Sequence, residues 1–130
     1  MLGDSTAYSG FAVPDTAAAA AFYRDTLGLT VEPVPGMEEH GLLTLHLPGG
    51  AQVLVYPKPD FTPATYTVLN FAVPDIDEAV DALAARGVEF LRYPGFDQDD
   101  KGIARASHGG PSVAWFTDPA GTICSVLQEE

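Results

Sequence analysis

Three histidines and one cysteine are the side chains in this sequence with the widest range of chemistry. A histidine can transfer protons near neutral pH or bind a metal through a ring nitrogen. His40 and His108 lie in predicted loops and His46 on a predicted strand, with no His-x-His or His-x-x-x-His spacing among them. Cys124 has no second cysteine for a disulfide or a CxxC pair. We therefore expect two surface histidines and one that lines a pocket.

A second group of residues has the chemistry to bind an organic molecule. Along the predicted strands, alternation places aromatic side chains on the same face as amides and hydroxyls, with Thr44 and Lys58 among them. Such a face suits a flat, partly polar molecule better than it suits a hydrolytic reaction. The predicted ligand-binding residues are Tyr8, His46, Gln52, Tyr56, Tyr66, Asn70, Trp115 and Ser125, with Phe96 added from a loop.

Some of these residues also have a purely structural explanation. Tyr56 and Tyr66 are typical strand formers whose hydroxyls can simply face water. Asn70 lies between apolar neighbours and needs a hydrogen-bond partner if buried, from a ligand or from an adjacent strand. Trp115 is the only tryptophan and lies beside a DPAG turn, so a binding role is the better explanation for it.

Residues 94–111 form a stretch that is longer than a simple connection and rich in acidic residues and glycines. Loops of this length are often lids. Phe96 is placed to close over a bound aromatic ring, and carboxylates at Asp97, Asp99 and Asp100 would favour a cationic group. A solvated loop explains the same composition, so a lid and a solvated loop are both open.

The elements that must position these residues contain an internal repeat. Phe11–Asp15 recurs letter for letter as Phe71–Asp75. Each copy ends in an aspartate suited to cap a helix N-terminus, and each predicted helix ends at a glycine. These helices extend from Thr16 to about Leu27 and from Ile76 to about Arg86.

The two halves continue to correspond after the helices. Short β-prone stretches follow at 29–31 and 88–90, and then a strand, a tight turn and a strand at 42–56 and at 112–127. Each half is therefore predicted to be a βαβββ module. Neither module can bury both faces of its own sheet, so we expect the two to share a core or to pair their sheets edge to edge.

The length of 130 residues and the apolar fraction of 46% suit one domain with a real core, residues 1–130. Within it, module one spans about residues 6–58 and module two about residues 65–128.

The sequence has 18 acidic and 6 basic residues, a net charge of −12, which repels nucleic acids and anionic membranes. The acidity serves solubility or attracts a cationic ligand. A lone cysteine and no apolar leader or membrane-spanning run predict a cytoplasmic protein.

Three segments resemble the vicinal oxygen chelate superfamily, which includes glyoxalase I, extradiol dioxygenases, fosfomycin-modifying enzymes and bleomycin-resistance proteins. They are FAVPDTAAAAAFYRDTLGLTVE, FAVPDIDEAVDALAARGVEF and AWFTDPAGTICSVLQEE. The resemblance covers essentially the whole chain. It implies an α+β fold of two tandem βαβββ modules that form cupped mixed sheets, and a homodimer with ligand clefts at the interface.

The resemblance also implies where a metal would be bound. Enzymes of the superfamily hold a divalent metal with His or Glu from four strands, and the matching positions here are Tyr8, Leu54, Val68 and Ser125. Two of these side chains have no lone pair, and neither hydroxyl is ionised at neutral pH. We therefore predict no metal, no other cofactor and no catalytic residue.

The missing ligands and the aromatic face favour a binding protein over an enzyme. The expected function is metal-independent sequestration of a toxic aromatic natural product, of the bleomycin-resistance or enediyne- and anthraquinone-binding type. The alternative is a glyoxalase-like lyase or isomerase, or a dioxygenase-like enzyme, with a non-standard site. That site would be either an unconventional metal site or a metal-free one that uses His46 or Tyr8 as acid or base. A carrier of a biosynthetic intermediate would have the same pocket.

Overall fold

The structure is a computed structural model that describes residues 1–105 and 110–129. The chain divides into two compact units, Met1–Thr62 and Pro63–Glu130. The boundary falls between the two copies of the repeat, and within the described residues each unit has one α-helix and one mixed sheet. The predicted α+β class with two mixed sheets is confirmed. The description of 1–130 as a single domain stays a prediction.

Unit 1 contains a four-stranded sheet with the order β1-β4-β3-β2. β1 runs parallel to β4, and the other two pairings are antiparallel. Short 3-10 turns occur at Leu2–Asp4 and Glu38–His40. The main elements are β1 (Ser9–Val13), α1 (Thr16–Ala21) continuing as a π-helix (Phe22–Thr26), β2 (Thr30–Pro33), β3 (Leu43–His46) and β4 (Gln52–Pro57).

Unit 2 repeats this arrangement with three strands in the order β5-β7-β6. β5 is parallel to β7, with a register irregularity between Thr67 and Leu69, and β6 is antiparallel to β7. The elements are β5 (Thr67–Ala72), α2 (Ile76–Ala85), β6 (Ser112–Thr117) and β7 (Ile123–Gln128).

The helix signals in the repeat act as predicted. Asp15 accepts hydrogen bonds from two backbone amides of the first turn of α1, and Asp75 accepts one in α2. Gly28 and Gly87 follow the helices with φ of 78° and 89°, a conformation that favours glycine. Among the helices in the described ranges, none has the length and apolar character needed to cross a membrane.

Each sheet buries the face that contacts its own helix, as strand alternation predicts. In unit 1 the buried residues include Val13, Ala19, Tyr23, Leu43, Leu45, Val53 and Val55. In unit 2 they include Leu69, Ile76, Val80, Ala114, Phe116, Cys124 and Val126. The opposite face of each sheet, which we call its open face, is not covered by the helix of that unit.

The stretch 88–90 departs from the prediction of a strand. Only Phe90 forms a bridge to β6, after which the amide of Leu91 donates to the Trp115 carbonyl oxygen at 2.8 Å. The Leu91 carbonyl accepts from Gln98 Nε2 at 2.9 Å instead of from another strand. Local hydrogen bonds to Gln98 therefore direct the chain into a loop after one bridge.

Candidate functional site

Apart from the irregularity between Thr67 and Leu69, the two sheets have matching registers, so the repeat can be compared residue by residue on their open faces. In each unit, one residue of the edge strand pairs with a residue of the neighbouring strand. That second residue pairs in turn with a residue of the third strand. We call these three-residue sets the unit 1 row and the unit 2 row. The unit 1 row is Gly10, Leu54 and Thr44, and the unit 2 row is Asn70, Ser125 and Trp115. Equivalent backbone positions thus bear different side chains.

The unit 2 row combines a fixed hydrogen bond with an aromatic ring. Ser125 is fully buried, and its Oγ donates to Asn70 Oδ1 at 2.6 Å. Asn70 is exposed and Trp115 is half-buried. The adjacent strand therefore supplies one hydrogen-bond partner for Asn70, which is one of the two sources considered from the sequence. The rest of the Asn70 amide stays accessible.

Trp115 is the centre of an aromatic cluster with Tyr93 and Phe96. Its ring centroid is 5.1 Å from each of the other two, which are 6.4 Å apart. Phe96 is 56% exposed, so much of its ring remains free. Phe96 therefore lies beside Trp115. Sequence reasoning did not include Tyr93 among the binding residues, although two aromatics around a Pro-Gly pair were a usable signal.

The loop that presents Phe96 is tied together by its own hydrogen bonds. Asp99 Oδ1 accepts from the amides of Lys101 and Ile103, both at 2.9 Å, and Ile103 is fully buried. Asp99, one of the three carboxylates expected to favour a cationic group, is engaged within the chain by these amides and by the Arg105 guanidinium. Residues 106–109, including His108, lie outside the described residues.

Ion pairs attach this loop to α2. The Arg105 guanidinium donates to both oxygens of Asp77, at 2.7 and 2.8 Å. Lys101 Nζ lies 3.0 Å from Asp81 and 3.4 Å from Asp77. The hydrogen bonds from Arg105, together with Lys101, hold the pKa of Asp77 well below its usual range. We call the ion pairs of Arg105 and Lys101 with Asp77 and Asp81 the α2 clamp.

Asp99 has a lowered pKa as well. Partial burial raises its pKa, but hydrogen bonds from the Ile103 amide, the Arg105 side chain and the Lys101 amide outweigh that effect. The carboxylate is thus stabilised in its charged form by the loop it organises.

The open face of unit 1 has a different character. A depression of about 130 Å³ is lined by Tyr8, Val34, Thr44, Gln52, Val53 and Leu54. Ligand pockets for drug-sized molecules usually measure roughly 300–1,000 Å³. On its own, this depression is therefore too small to enclose such a molecule. Tyr8 is 69% exposed at its rim.

His46 lies on the same face, and its Nε2 is 3.2 Å from Glu32 Oε1 on the neighbouring strand. Tyr56 is on this face by its register and is 38% exposed. Of the predicted binding residues, unit 1 thus contributes Tyr8, His46, Gln52 and Tyr56. Unit 2 contributes Asn70, Phe96, Trp115 and Ser125, with Tyr66 just before β5 and 70% exposed.

The four positions implied for a metal do not fit one. Leu54 has no donor atom, and the Ser125 hydroxyl is already bonded to Asn70. Across residues 1–105 and 110–129, no three His, Cys, Asp or Glu side chains are grouped so that they could hold a metal ion. At the four implied positions the chain thus has hydroxyl and apolar side chains where the resemblance implies His or Glu.

Comparison with known proteins identifies sequence and fold relatives. A sequence profile described as Glyoxalase/Bleomycin resistance protein/Dioxygenase superfamily matches residues 5–124. No curated protein matches the sequence significantly.

Solved structures match the fold over nearly the whole chain. A member of the glyoxalase/bleomycin resistance protein/dioxygenase superfamily from Sphaerobacter thermophilus is 25% identical, with a TM-score of 0.70 and coverage of 96% of this chain and 98% of its own. TnmS3, an antibiotic-binding protein from Streptomyces sp. CB03234, is 22% identical, with a TM-score of 0.69 and 98% coverage of both chains. FosX, a fosfomycin resistance protein from Listeria monocytogenes, is 13% identical, with a TM-score of 0.72 and coverage of 98% and 94%. The last two likenesses establish a shared fold.

Proposed function

Because the chain belongs to the glyoxalase/bleomycin resistance protein/dioxygenase superfamily, we propose that it sequesters a toxic aromatic natural product without a metal and without chemistry. The observation that carries this proposal is the aromatic cluster of Tyr93, Phe96 and Trp115 beside the hydrogen-bonded pair Ser125 and Asn70. A structural relative of the same fold, TnmS3, is an antibiotic-binding protein.

Stacking supplies the affinity in this proposal. Aromatic pairs contribute about 0.5–1.5 kcal/mol beyond the area they bury, and several rings can act on one flat ligand. Phe96 is 56% exposed on a loop that also carries exposed Asp97 and Asp100. An aromatic ligand with a cationic substituent fits both the rings and the net charge of −12.

A second copy of the chain completes the site in this proposal. The depression in unit 1 holds about 130 Å³, well short of an enclosed ligand pocket. We expect a homodimer with ligand clefts at its interface. Sedimentation analysis should give twice the monomer mass, and a monomer at all concentrations would contradict the dimer.

The single buried thiol of Cys124 is suited to the reducing cytoplasm, where we place the protein.

Tryptophan fluorescence tests sequestration directly, because Trp115 is the only tryptophan. Titration with a panel of aromatic antibiotics, including anthraquinone-type and cationic members, should quench its emission saturably for at least one compound. The mass spectrum of the compound recovered from the complex should be unchanged. Absence of any saturable response across the panel would contradict the proposal.

A second candidate function is metal-free acid–base catalysis by His46. The observation that favours it is the 3.2 Å approach of Glu32 to His46 Nε2, since a carboxylate can orient an imidazole for proton transfer. Glutathione adducts of methylglyoxal, with and without added divalent metals, provide the assay. Turnover that disappears in His46→Gln would favour this candidate, whereas no turnover favours sequestration.

A further inference from the structure

We infer that Asn70 selects ligands that carry a neutral carbonyl group on the aromatic ring system. This inference rests on the proposed function, because it concerns the same open face of unit 2. It assigns two roles that are distinct from stacking. Asn70 acts as the hydrogen-bond donor to the ligand, and Ser125 acts as the residue that positions it.

The hydrogen bond between the two side chains sets the direction of the Asn70 amide. Ser125 Oγ donates to Oδ1 at 2.6 Å, so the acceptor end of the amide faces Ser125. In the reverse orientation, the amide nitrogen would donate to Ser125, and the hydroxyl proton of this fully buried residue would need another acceptor. The two N–H groups of Asn70 therefore form the end that is offered to a ligand.

The register of β5, β7 and β6 sets the distance between the donor and the stacking surface. Asn70 and Trp115 each pair with Ser125, so two strand spacings separate their backbones, or roughly 10 Å. A fused aromatic system that stacks at Trp115 and extends over Ser125 would bring its edge to Asn70. The group at that edge must accept hydrogen bonds.

Charge decides which acceptor is favoured. Carboxylates, phosphates and carbonyls can all accept from an amide N–H, but a net charge of −12 disfavours the anions. A ring carbonyl accepts without carrying charge and offers two lone pairs. The inferred class is thus a quinone, aromatic ketone or lactam.

The unit 1 row indicates that this polar pair is not demanded by the fold. At the equivalent positions of unit 1, Gly10 and Leu54 form the same backbone ladder. Thr44 lies there at the position that Trp115 has in unit 2. The pairing of the strands therefore does not require an amide and a hydroxyl. Their presence in one half alone points to recognition rather than to sheet stability.

A pair of matched ligands tests the inference on the wild-type protein. We would measure binding of 2-(aminomethyl)anthraquinone and 2-(aminomethyl)anthracene by calorimetry. The two share ring number, shape and positive charge, and differ in the ring carbonyls. Since one hydrogen bond contributes about 0.5–1.5 kcal/mol net, the quinone should bind about twofold to twelvefold more tightly.

Three variants then locate the selectivity. Asn70→Asp is nearly isosteric and keeps an acceptor for Ser125 while removing both N–H donors, so the preference for the quinone should vanish. Ser125→Ala should weaken the preference without abolishing it, because Asn70 remains but is no longer held. Ala82→Glu, at an exposed position on α2, adds the same negative charge elsewhere and should keep the preference. Circular dichroism and thermal unfolding establish that each variant is folded.

The outcomes separate this inference from the function on which it rests. Equal binding of both ligands by the wild-type protein overturns the role of Asn70 and leaves sequestration intact. A quinone preference that persists in folded Asn70→Asp also overturns it. Failure of the wild-type protein to bind either ligand or any compound of the antibiotic panel overturns both proposals.

Discussion

At the scale of single residues, the open face of unit 2 separates two roles. Trp115, Tyr93 and Phe96 supply aromatic surface, whereas Asn70 and Ser125 supply direction. Stacking tolerates many ring systems, because it follows area and polarisability, while a hydrogen bond rejects ligands that lack its partner. A site with both kinds of contact can bind its ligand with high affinity and still select among ring systems.

Phe96→Ala tests the aromatic role with little expected cost to the fold. The ring is 56% exposed, so its removal should leave the thermal midpoint almost unchanged. Loss of one stacking contact, about 0.5–1.5 kcal/mol, should weaken binding of the anthraquinone ligand by up to about tenfold in calorimetry. Leu2→Ala, which removes an apolar side chain that is 79% exposed, is the control and should not alter binding. Unchanged affinity in Phe96→Ala would contradict a role in stacking.

Strand alternation was sufficient to place Asn70, Trp115 and Ser125 on one face. It succeeded because the period of two is a property of the backbone, which the side chains cannot change. The side chain of Asp99 was not predictable in this way. Its partners are amides within the same loop, and loop hydrogen bonds follow no sequence period.

At the scale of elements, the loop that follows α2 is fixed to that helix. Gln98 bonds to three backbone positions, Ile103 is fully buried, and the α2 clamp holds the C-terminal part of the described loop. Phe96 and Tyr93 lie at the other end of the same loop. The clamp and the aromatic cluster are therefore mechanically connected through a short segment.

Asp77→Asn should loosen this segment. The variant removes the charge that faces Arg105 and Lys101, so backbone amides of residues 99–105 should exchange with solvent faster, by a factor of about three, the scale of an exposed ion pair. Hydrogen-exchange mass spectrometry measures this. Asp81→Asn removes only one partner of Lys101 and should have a smaller effect. Equal exchange in both variants and the wild-type protein would show that the clamp does not restrain the loop.

Acid should release the clamp only at low pH. The pKa values of Asp77 and Asp99 are lowered from 3.8 in the folded state. Their contribution to stability is therefore complete above pH 3.8 and is lost as the pH falls through the lowered values. Trp115 emission, which senses Tyr93 and Phe96, should stay constant from neutral pH down to this range and change below it. A change centred above pH 3.8, with constant far-ultraviolet circular dichroism, would contradict the assignment.

The elements with strong local signals were the predictable ones. Aspartate caps and glycine ends located both helices, and turn residues located the paired strands of each half. The stretch 88–90 was predicted as a strand from β-prone residues, but Gln98 competes for the Leu91 carbonyl. That competition depends on a side chain seven residues away, and β-propensity contains no information about it.

At the scale of the whole molecule, the negative charge is hardly balanced at the surface. The sequence has 6 basic residues, and the ion pairs already engage Arg24, Lys58, Lys101 and Arg105 with carboxylates. Most of the 18 acidic residues therefore contribute to a long-range negative field. Such a field concentrates cations near the protein and accelerates their association.

Association of a cationic aromatic ligand should consequently depend on salt. Raising the ionic strength from 0.01 M to 0.15 M shortens the Debye length from about 30 Å to about 8 Å, so the association rate should fall. Stopped-flow quenching of Trp115 measures the rate. A neutral analogue of the same ring system is the control, and its rate should be nearly independent of salt. Equal salt dependence for both ligands would contradict electrostatic attraction.

The matching registers of the two sheets let specificity change while the strands stay in place. Ladder hydrogen bonds join backbone atoms, so Gly10 and Asn70, or Leu54 and Ser125, can occupy the same place in equivalent ladders. Each half of the chain thus shows side chains that differ from those of the other half at equivalent ladder positions. An engineer could therefore use each half as a template for the other, and exchange recognition chemistry at single positions of a scaffold that already accepts both versions.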